Sequence, residues 1–214
     1  MPNRNLADIR IHYQKDALDW EKLAADPLVN LQQWVNDAIA EKSYEPTAMM
    51  LATTDAHQQP HARVVLLKEL DSGLVFYTHY TGPKGLELAQ NPKAAITFFW
   101  PEMERQVRVE GIVEKVSAEQ SDRYFASRPR DSQLGACASA QGRQVADRAE
   151  LEANFAEVAA QFAGKPVQRP AHWGGYRLLP DRVEFWQGRP NRLHDRLVFT
   201  RQNDETWSTQ RLAP

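Results

Sequence analysis

Near its C-terminal end the chain reads Arg192-Leu193-His194-Asp195-Arg196, shortly after Glu184-Phe185-Trp186-Gln187-Gly188. On an extended backbone, side chains two apart share a face. Arg192, His194 and Arg196 then point one way, with Leu193 and Asp195 opposite. Two permanent cations flanking an imidazole repel unless an anion joins them, so the spacing predicts a phosphorylated ligand or cofactor beside this strand. The competing reading is a solvated strand edge.

Further cationic and hydroxyl groups collect elsewhere. Arg63 and Lys68 bracket an apolar strand. Lys84 opens a helix just after Thr78, His79, Tyr80, Thr81 and Gly82, where backbone N–H groups suit a phosphate. Arg128, Arg130 and Ser132 follow a helix carrying Tyr124, and Gln141, Gly142 and Arg143 form a polar turn. Each has a structural alternative: Arg63 paired with Glu69 or Asp71, Arg128 and Arg130 paired with Asp131 or Asp122. Taken with the C-terminal cluster, they predict two anionic groups to bind rather than one. Strand parity puts Arg63 and Lys68 on opposite faces, so both serve one site only if the strand bends or bulges, or if Lys68 projects beyond its end.

Elements must position these groups. Pro27 opens a helix with Leu28, Leu31, Trp34, Val35, Ala38 and Ile39 at helical spacing, ending near Lys42. Residues 48–54 and 61–68 read as the arms of a hairpin, followed by strands over 74–78, 94–100 and 106–116. Helices are expected over 84–90 and 118–127, and a strongly amphipathic one over 148–162 sets Leu151, Phe155, Val158, Ala159 and Phe162 on one face. Strands return at 174–179, at 182–187 after a turn at Pro180-Asp181, at 195–200 and at 207–212. Many short strands with few helices suggest a small antiparallel barrel decorated by helices.

Composition narrows the class. The chain has 214 residues, 42% hydrophobic and 25% charged, with a formal net charge of -2, so nothing draws it globally to nucleic acid or an anionic membrane. A lone cysteine, Cys137, excludes an internal disulfide framework and sits among small residues that read as packing. No apolar run reaches the length of a membrane span, and the N-terminus lacks a signal-peptide core, so a cytoplasmic protein is expected. No dinucleotide or P-loop glycine motif appears, and no metal site is expected.

Six segments carry a resemblance: Arg63-Val64-Val65-Leu66-Leu67-Lys68, Val75-Phe76-Tyr77-Thr78, Glu104-Arg105-Gln106-Val107, Tyr124 through Gln133 with its R-P-R-D-S-Q run, Glu184 through Gly188, and Arg192 through Arg196. In this order, and with the ending Arg211-Leu212-Ala213-Pro214, they closely resemble the pyridoxamine 5′-phosphate oxidases from about Pro27 onward. The resemblance implies a mainly β fold with helices, an FMN-binding split barrel of antiparallel Greek-key type. It also implies one domain over 27–214, a mobile arm over 1–26, and a homodimer with flavin at the interface. The implied reaction oxidises pyridoxine 5′-phosphate or pyridoxamine 5′-phosphate to pyridoxal 5′-phosphate, with O2 as acceptor and hydrogen peroxide as product.

By the same resemblance, Arg63 and Lys84 hold the FMN phosphate with Tyr77 and Thr78, beside the run Val64, Val65, Leu66, Leu67 and Lys68. Gln106, Gln141 and Gly142 contact the cofactor, and Trp186 and Arg196 line its site. Lys68, Tyr124, Arg128 and Ser132 take the substrate phosphate, Arg192 and His194 act at the pyridine ring, and Arg10 and Tyr13 belong to a segment closing over the substrate. Two positions depart from the pattern. Pro83 stands where a basic residue is common, and Gly142 where serine is common, so the FMN contacts there are expected to be weaker or different. Two alternatives remain: a split-barrel flavin oxidase for another aromatic substrate, and a non-catalytic flavin or pyridoxal phosphate carrier.

Overall fold

A computed structural model describes residues 5–9 and 11–214; Arg10 lies outside the described residues. Helix α1 spans Pro27–Ala40, capped by the Asp26 carboxylate on the Leu28 N–H, with proline in the first turn. Strands β1 (Ala48–Thr54) and β2 (Pro60–Leu66) form the expected hairpin. A short β3 (Glu69–Leu70), β4 (Leu74–His79), α2 (Pro83–Gln90), β5 (Lys93–Trp100) and β6 (Arg105–Lys115) follow. Then come α3 (Ala118–Ser127), α4 (Arg130–Ala138) and α5 (Arg148–Gln161). The chain ends in β7 (Trp173–Gln187), β8 (Asp195–Arg201) and β9 (Trp207–Arg211). The strand order is β2-β1-β5-β6-β7-β4-β3, with β8 on β7 and β9 on β8. β3/β4, β4/β7, β7/β8 and β8/β9 all pair antiparallel.

The chain divides into two compact units. The first comprises Met1–Met49, Ile96–Glu110 and Pro180–Pro214. Its core holds Leu31, Trp34, Val35 and Ala38 of α1, with the Trp34 ring edge-on to Phe185 at 5.1 Å. Arg105 lies over Trp34 at 4.6 Å and pairs with Asp16 and Asp37. The second unit comprises Met50–Ala95 and Gly111–Leu179. There Phe76 on β4 stacks on Tyr176 of β7 at 5.7 Å, and Phe125 meets Trp173 edge-on at 5.3 Å.

Four expectations are corrected. Residues 174–187 contain no turn: β7 runs through Pro180, which falls between the stretch paired with β4 and the stretch paired with β8, where its missing N–H leaves neither ladder short. Helix α4 is additional, and begins straight after Pro129. Helix α5 forms, but none of its residues is buried, and Leu151 is 45% exposed; Ile39 at the end of α1 is likewise 53% exposed. Finally, Arg192 and His194 do not share a strand face with Arg196. Pro190–Arg192 is a single 3-10 turn with Asn191 and Arg192 at φ of 58° and 62°, and β8 begins only at Asp195.

Candidate active site

The second unit holds a cleft of about 680 Å³. Val64, Val65 and Leu66 of β2 form one wall, with Lys68 just past the strand's end. The Lys68 N–H donates to Val75 O at 2.9 Å, so of the ways for Lys68 to join this site, projection beyond the strand is the one realised. Tyr77, Thr78 and His79 come from β4, Lys84 from α2, Tyr124 from α3, and Arg128 and Ser132 from the bend into α4, with Gln141 and Trp173 completing the lining.

Three rings make a shelf. Tyr77 stacks on Tyr124 at 3.8 Å and on Trp173 at 5.6 Å. The Tyr77 hydroxyl donates to Glu69 at 2.5 Å, and burial raises its pKa, so it contributes a ring rather than a free donor. Arg128 is held extended by the following Pro129, and its guanidinium lies 4.7 Å over Trp173. Its Nη1 is buried without a hydrogen-bond partner. Among the described residues neither Arg128 nor Lys68 has an ion pair; Arg130 instead donates to Lys165 O and Phe162 O, and Asp122 takes Arg169.

Lys84 Nζ donates to Gln141 Oε1 at 2.7 Å and to Thr78 Oγ1 at 3.4 Å. Burial and then the Arg63 charge push the Lys84 pKa down. The turn at Gln141-Gly142 packs on the start of α2. Gly142 has φ +85°, and a Cβ there would stand 2.4 Å from Pro83 Cδ, so the two departures from the family pattern touch each other. Arg63 is not among the cleft's lining residues, but it directly precedes Val64 on β2 and its charge bears on Lys84. Its Nη1 donates to Thr53 Oγ1 at 2.5 Å and Leu51 O at 3.3 Å, and its Nη2 to Glu87 at 3.1 Å; its partner is neither Glu69 nor Asp71, which take Tyr77 and Arg177.

The first unit holds a second cleft, of about 790 Å³, lined by His12, Tyr13, Arg189, Arg192 and His194 among others. His194 Nδ1 accepts the Arg189 backbone N–H at 3.1 Å, which puts the proton of the neutral ring on Nε2. Burial and the Arg192 charge lower its pKa against the opposing Asp195. The ring packs against Trp186 at 4.7 Å and edge-on to Tyr13 at 5.6 Å. Carboxylates fasten the chain beyond Tyr13: Glu104 accepts the N–H groups of Gln14 and Lys15, and Asp195 that of Leu18. Consecutive left-handed backbone at Asn191 and Arg192 costs about 1–2 kcal/mol per residue, a strain that concentrates at functional turns.

The anion expected beside Arg196 is internal. Arg196 sits opposite Trp186 and binds the buried Glu184 at 2.8 Å and Ala213 O at 2.9 Å. The second-unit cleft therefore joins most of the expected cofactor set to the whole substrate-phosphate set. Arg63, Leu67, Gln106, Gly142, Trp186, Arg192, His194 and Arg196 are not among its lining residues. Leu67 is buried in the core and Gln106 half-buried on β6. Cys137 is half-buried with its thiol pKa raised by burial, as packing requires. Sequence reasoning missed Trp173 and His79. Trp173 reaches the cleft through its β4/β7 register with His79, a pairing no local pattern encodes. His79 is 5% exposed, its Nδ1 unpartnered, and burial followed by the charges of His172, Lys84 and Arg128 pushes its pKa down to about 4.

The profile of the family described as "Pyridoxamine 5'-phosphate oxidase" matches residues 35–162, and that of the "Pyridoxine 5'-phosphate oxidase C-terminal dimerisation region" matches residues 173–214. The chain is 53% identical over 214 residues to the pyridoxine/pyridoxamine 5′-phosphate oxidase of Pseudomonas paraeruginosa, covering 99% of each. It is 54% identical over 211 residues to that of Ralstonia pickettii, covering 98% of this chain and 99% of the relative. Among solved structures, PhzG from Burkholderia lata 383, in complex with tetrahydrophenazine-1-carboxylic acid, is similar at TM-score 0.87 and 31% identity, covering 93% of this chain and 98% of that one. A pyridoxamine 5′-phosphate oxidase-related, FMN binding protein from Nostoc punctiforme shares the fold at TM-score 0.72 and 16% identity, covering 90% and 100%. With a mainly antiparallel sheet of split-barrel type and two profiles spanning most of its length, the chain belongs to the pyridoxamine 5′-phosphate oxidase family.

Proposed function

We propose that the chain oxidises pyridoxine 5′-phosphate and pyridoxamine 5′-phosphate to pyridoxal 5′-phosphate, with FMN as cofactor and O2 as electron acceptor, releasing hydrogen peroxide. It works as a cytoplasmic homodimer with flavin at the subunit interface, as one domain over 27–214 behind an N-terminal arm. The observation that carries this reading is the buried, unpartnered Arg128 Nη1 beside Lys68, Tyr124 and Ser132 in one cleft. An isolated buried donor costs about 1–3 kcal/mol, and a phosphate oxygen removes that cost through a charge-assisted bond. The cleft also fits the phosphate of FMN, because Lys84 and Thr78 converge on one amide oxygen of Gln141 and reorient to an anion without backbone change.

When bound, FMN supplies the two-electron acceptor and the reductant for dioxygen. The protein's own groups orient and exclude. Lys68, Arg128 and Ser132 fix the phosphate end of the substrate, and the Tyr124 ring shelf borders it. Arg192 and His194 address the pyridine ring and its 4′ substituent. Because Nδ1 of His194 is already an acceptor, the neutral imidazole presents Nε2–H as a donor, suited to hold an oxygen or nitrogen of the substrate rather than to remove a proton. Tyr13 lines the ring-facing cleft, and Arg10 would join it in contacting the substrate.

A second reading follows from the likeness to PhzG: a flavin oxidase for a different aromatic substrate. One assay separates them. The purified protein is examined for flavin absorbance and supplied in air with pyridoxine 5′-phosphate, pyridoxamine 5′-phosphate or their unphosphorylated forms. Pyridoxal phosphate and peroxide should appear with the phosphorylated substrates. Bound flavin without either product overturns the proposal.

A further inference from the structure

We propose that Glu87 is the positioning residue for Arg63, fixing the guanidinium so that its remaining donors meet the flavin phosphate. This rests on reading the second-unit cleft as a flavin-phosphate site. Glu87 lies one helical turn after Lys84 on α2 and is only 7% exposed. A carboxylate so placed needs several donors, and it has three: the Thr53 hydroxyl, His61 Nδ1 at 2.7 Å and Arg63 Nη2 at 3.1 Å. Burial works against its ionisation, but these bonds and the Arg63 charge outweigh burial and hold its pKa below the ordinary value.

Arg63 has five N–H donors. Leu51 O, Thr53 and Glu87 take three, and the rest stay available in a fixed plane. The contact also ties two elements together, since Glu87 belongs to the helix that carries Lys84 and Arg63 to the strand that walls the cleft. Burial first, and then repulsion from Arg63, lowers the Lys84 pKa, and Glu87 opposes that repulsion. A carboxylate near a phosphate site would ordinarily weaken anion binding by repulsion. Here the two effects have opposite signs, so the sign of a substitution's effect identifies the role.

The test titrates the flavin-free full-length chain with FMN and, in parallel, with riboflavin, which lacks the phosphate; flavin fluorescence reports both affinities. Wild type should favour FMN. Glu87→Leu should weaken FMN about tenfold, as for loss of one charge-assisted contact, and leave riboflavin within about twofold. Glu87→Gln, which keeps an acceptor for Arg63, should stay within about threefold of wild type. In an Arg63→Met background, Glu87→Leu should add no further loss. Should Glu87→Leu fail to fold by circular dichroism, Glu87→Asp, whose carboxylate is drawn back from Arg63, should show the same selective loss. Tighter FMN binding without Glu87, equal loss of FMN and riboflavin, or a loss that persists without Arg63 each overturns the inference. Equal wild-type affinity for both flavins overturns the phosphate reading itself, and is seen before any variant is made.

Discussion

The guanidinium of Arg128 rests on the Trp173 indole with one nitrogen unsatisfied, and substrate discrimination should depend on it. Arg128→Met should raise KM for pyridoxine 5′-phosphate about 10- to 100-fold, the range for a lost charge-assisted contact, while kcat changes little; steady-state peroxide assays measure both. Gly142 sets a second residue-level expectation. Its positive φ and the nearness of the Pro83 ring make Gly142→Ala unfavourable twice over, so FMN affinity should fall. Pro83→Ala in the same chain should recover the part due to contact and not the part due to φ, as flavin fluorescence titrations would show. His194 gives a third. Burial and Arg192 lower its pKa, so the ring is neutral at pH 7 and charges only below its ordinary value of about 6.5. NMR titration should find that midpoint displaced upward in Arg192→Met, because the repelling charge is gone; an unmoved midpoint would show that Arg192 does not reach the ring.

At the scale of elements, β7 is held to β8 by the buried Glu184, which binds Arg196 and Arg182. Burial raises its pKa, but these partners and the charge of Arg108 outweigh burial and leave it lowered. A lowered carboxyl pKa stabilises the fold above the unfolded value and loses that contribution as pH falls through the folded one. Glu184→Leu should cost about 1–3 kcal/mol in urea unfolding at neutral pH, the range for lost charge-assisted bonds, since the part-exposed Arg182 keeps Glu110 and Arg196 keeps Ala213 O, and the cost should shrink in acid. Strands and hairpins were legible because their apolar runs are local, as in β1, β5 and β6. The break expected at Pro180 was not real, since a proline between two pairing stretches looks the same in sequence as a proline in a turn. Helix α4 escaped notice because Arg130–Ala138 carries too few large apolar residues to show a period. Helix α5 showed its period clearly but keeps its apolar stripe only half-buried, and burial is a tertiary fact.

For the whole molecule, the dimerisation profile falls on β7, β8 and β9. If flavin lies in the interface, diluting the protein until it dissociates should release flavin in step with monomer formation, followed by sedimentation velocity and flavin fluorescence; monomers that retain flavin would place the cofactor elsewhere. Most of the cleft's lining could be named from contiguous runs such as Val64–Lys68 and Tyr124–Gln133. What could not be named was the traffic between them: Arg63 with Glu87, Arg196 with Glu184, Trp173 beneath Arg128. Under the proposed roles, the groups that would hold a phosphate lie wholly within residues 50–95 and 111–179, and those that would address a ring wholly within 5–49, 96–110 and 180–214. Inheritance can therefore act on them separately. A lineage could exchange one aromatic substrate for another by rewriting the turn at Pro190–Arg192 while every residue that grasps the phosphate stays as it was.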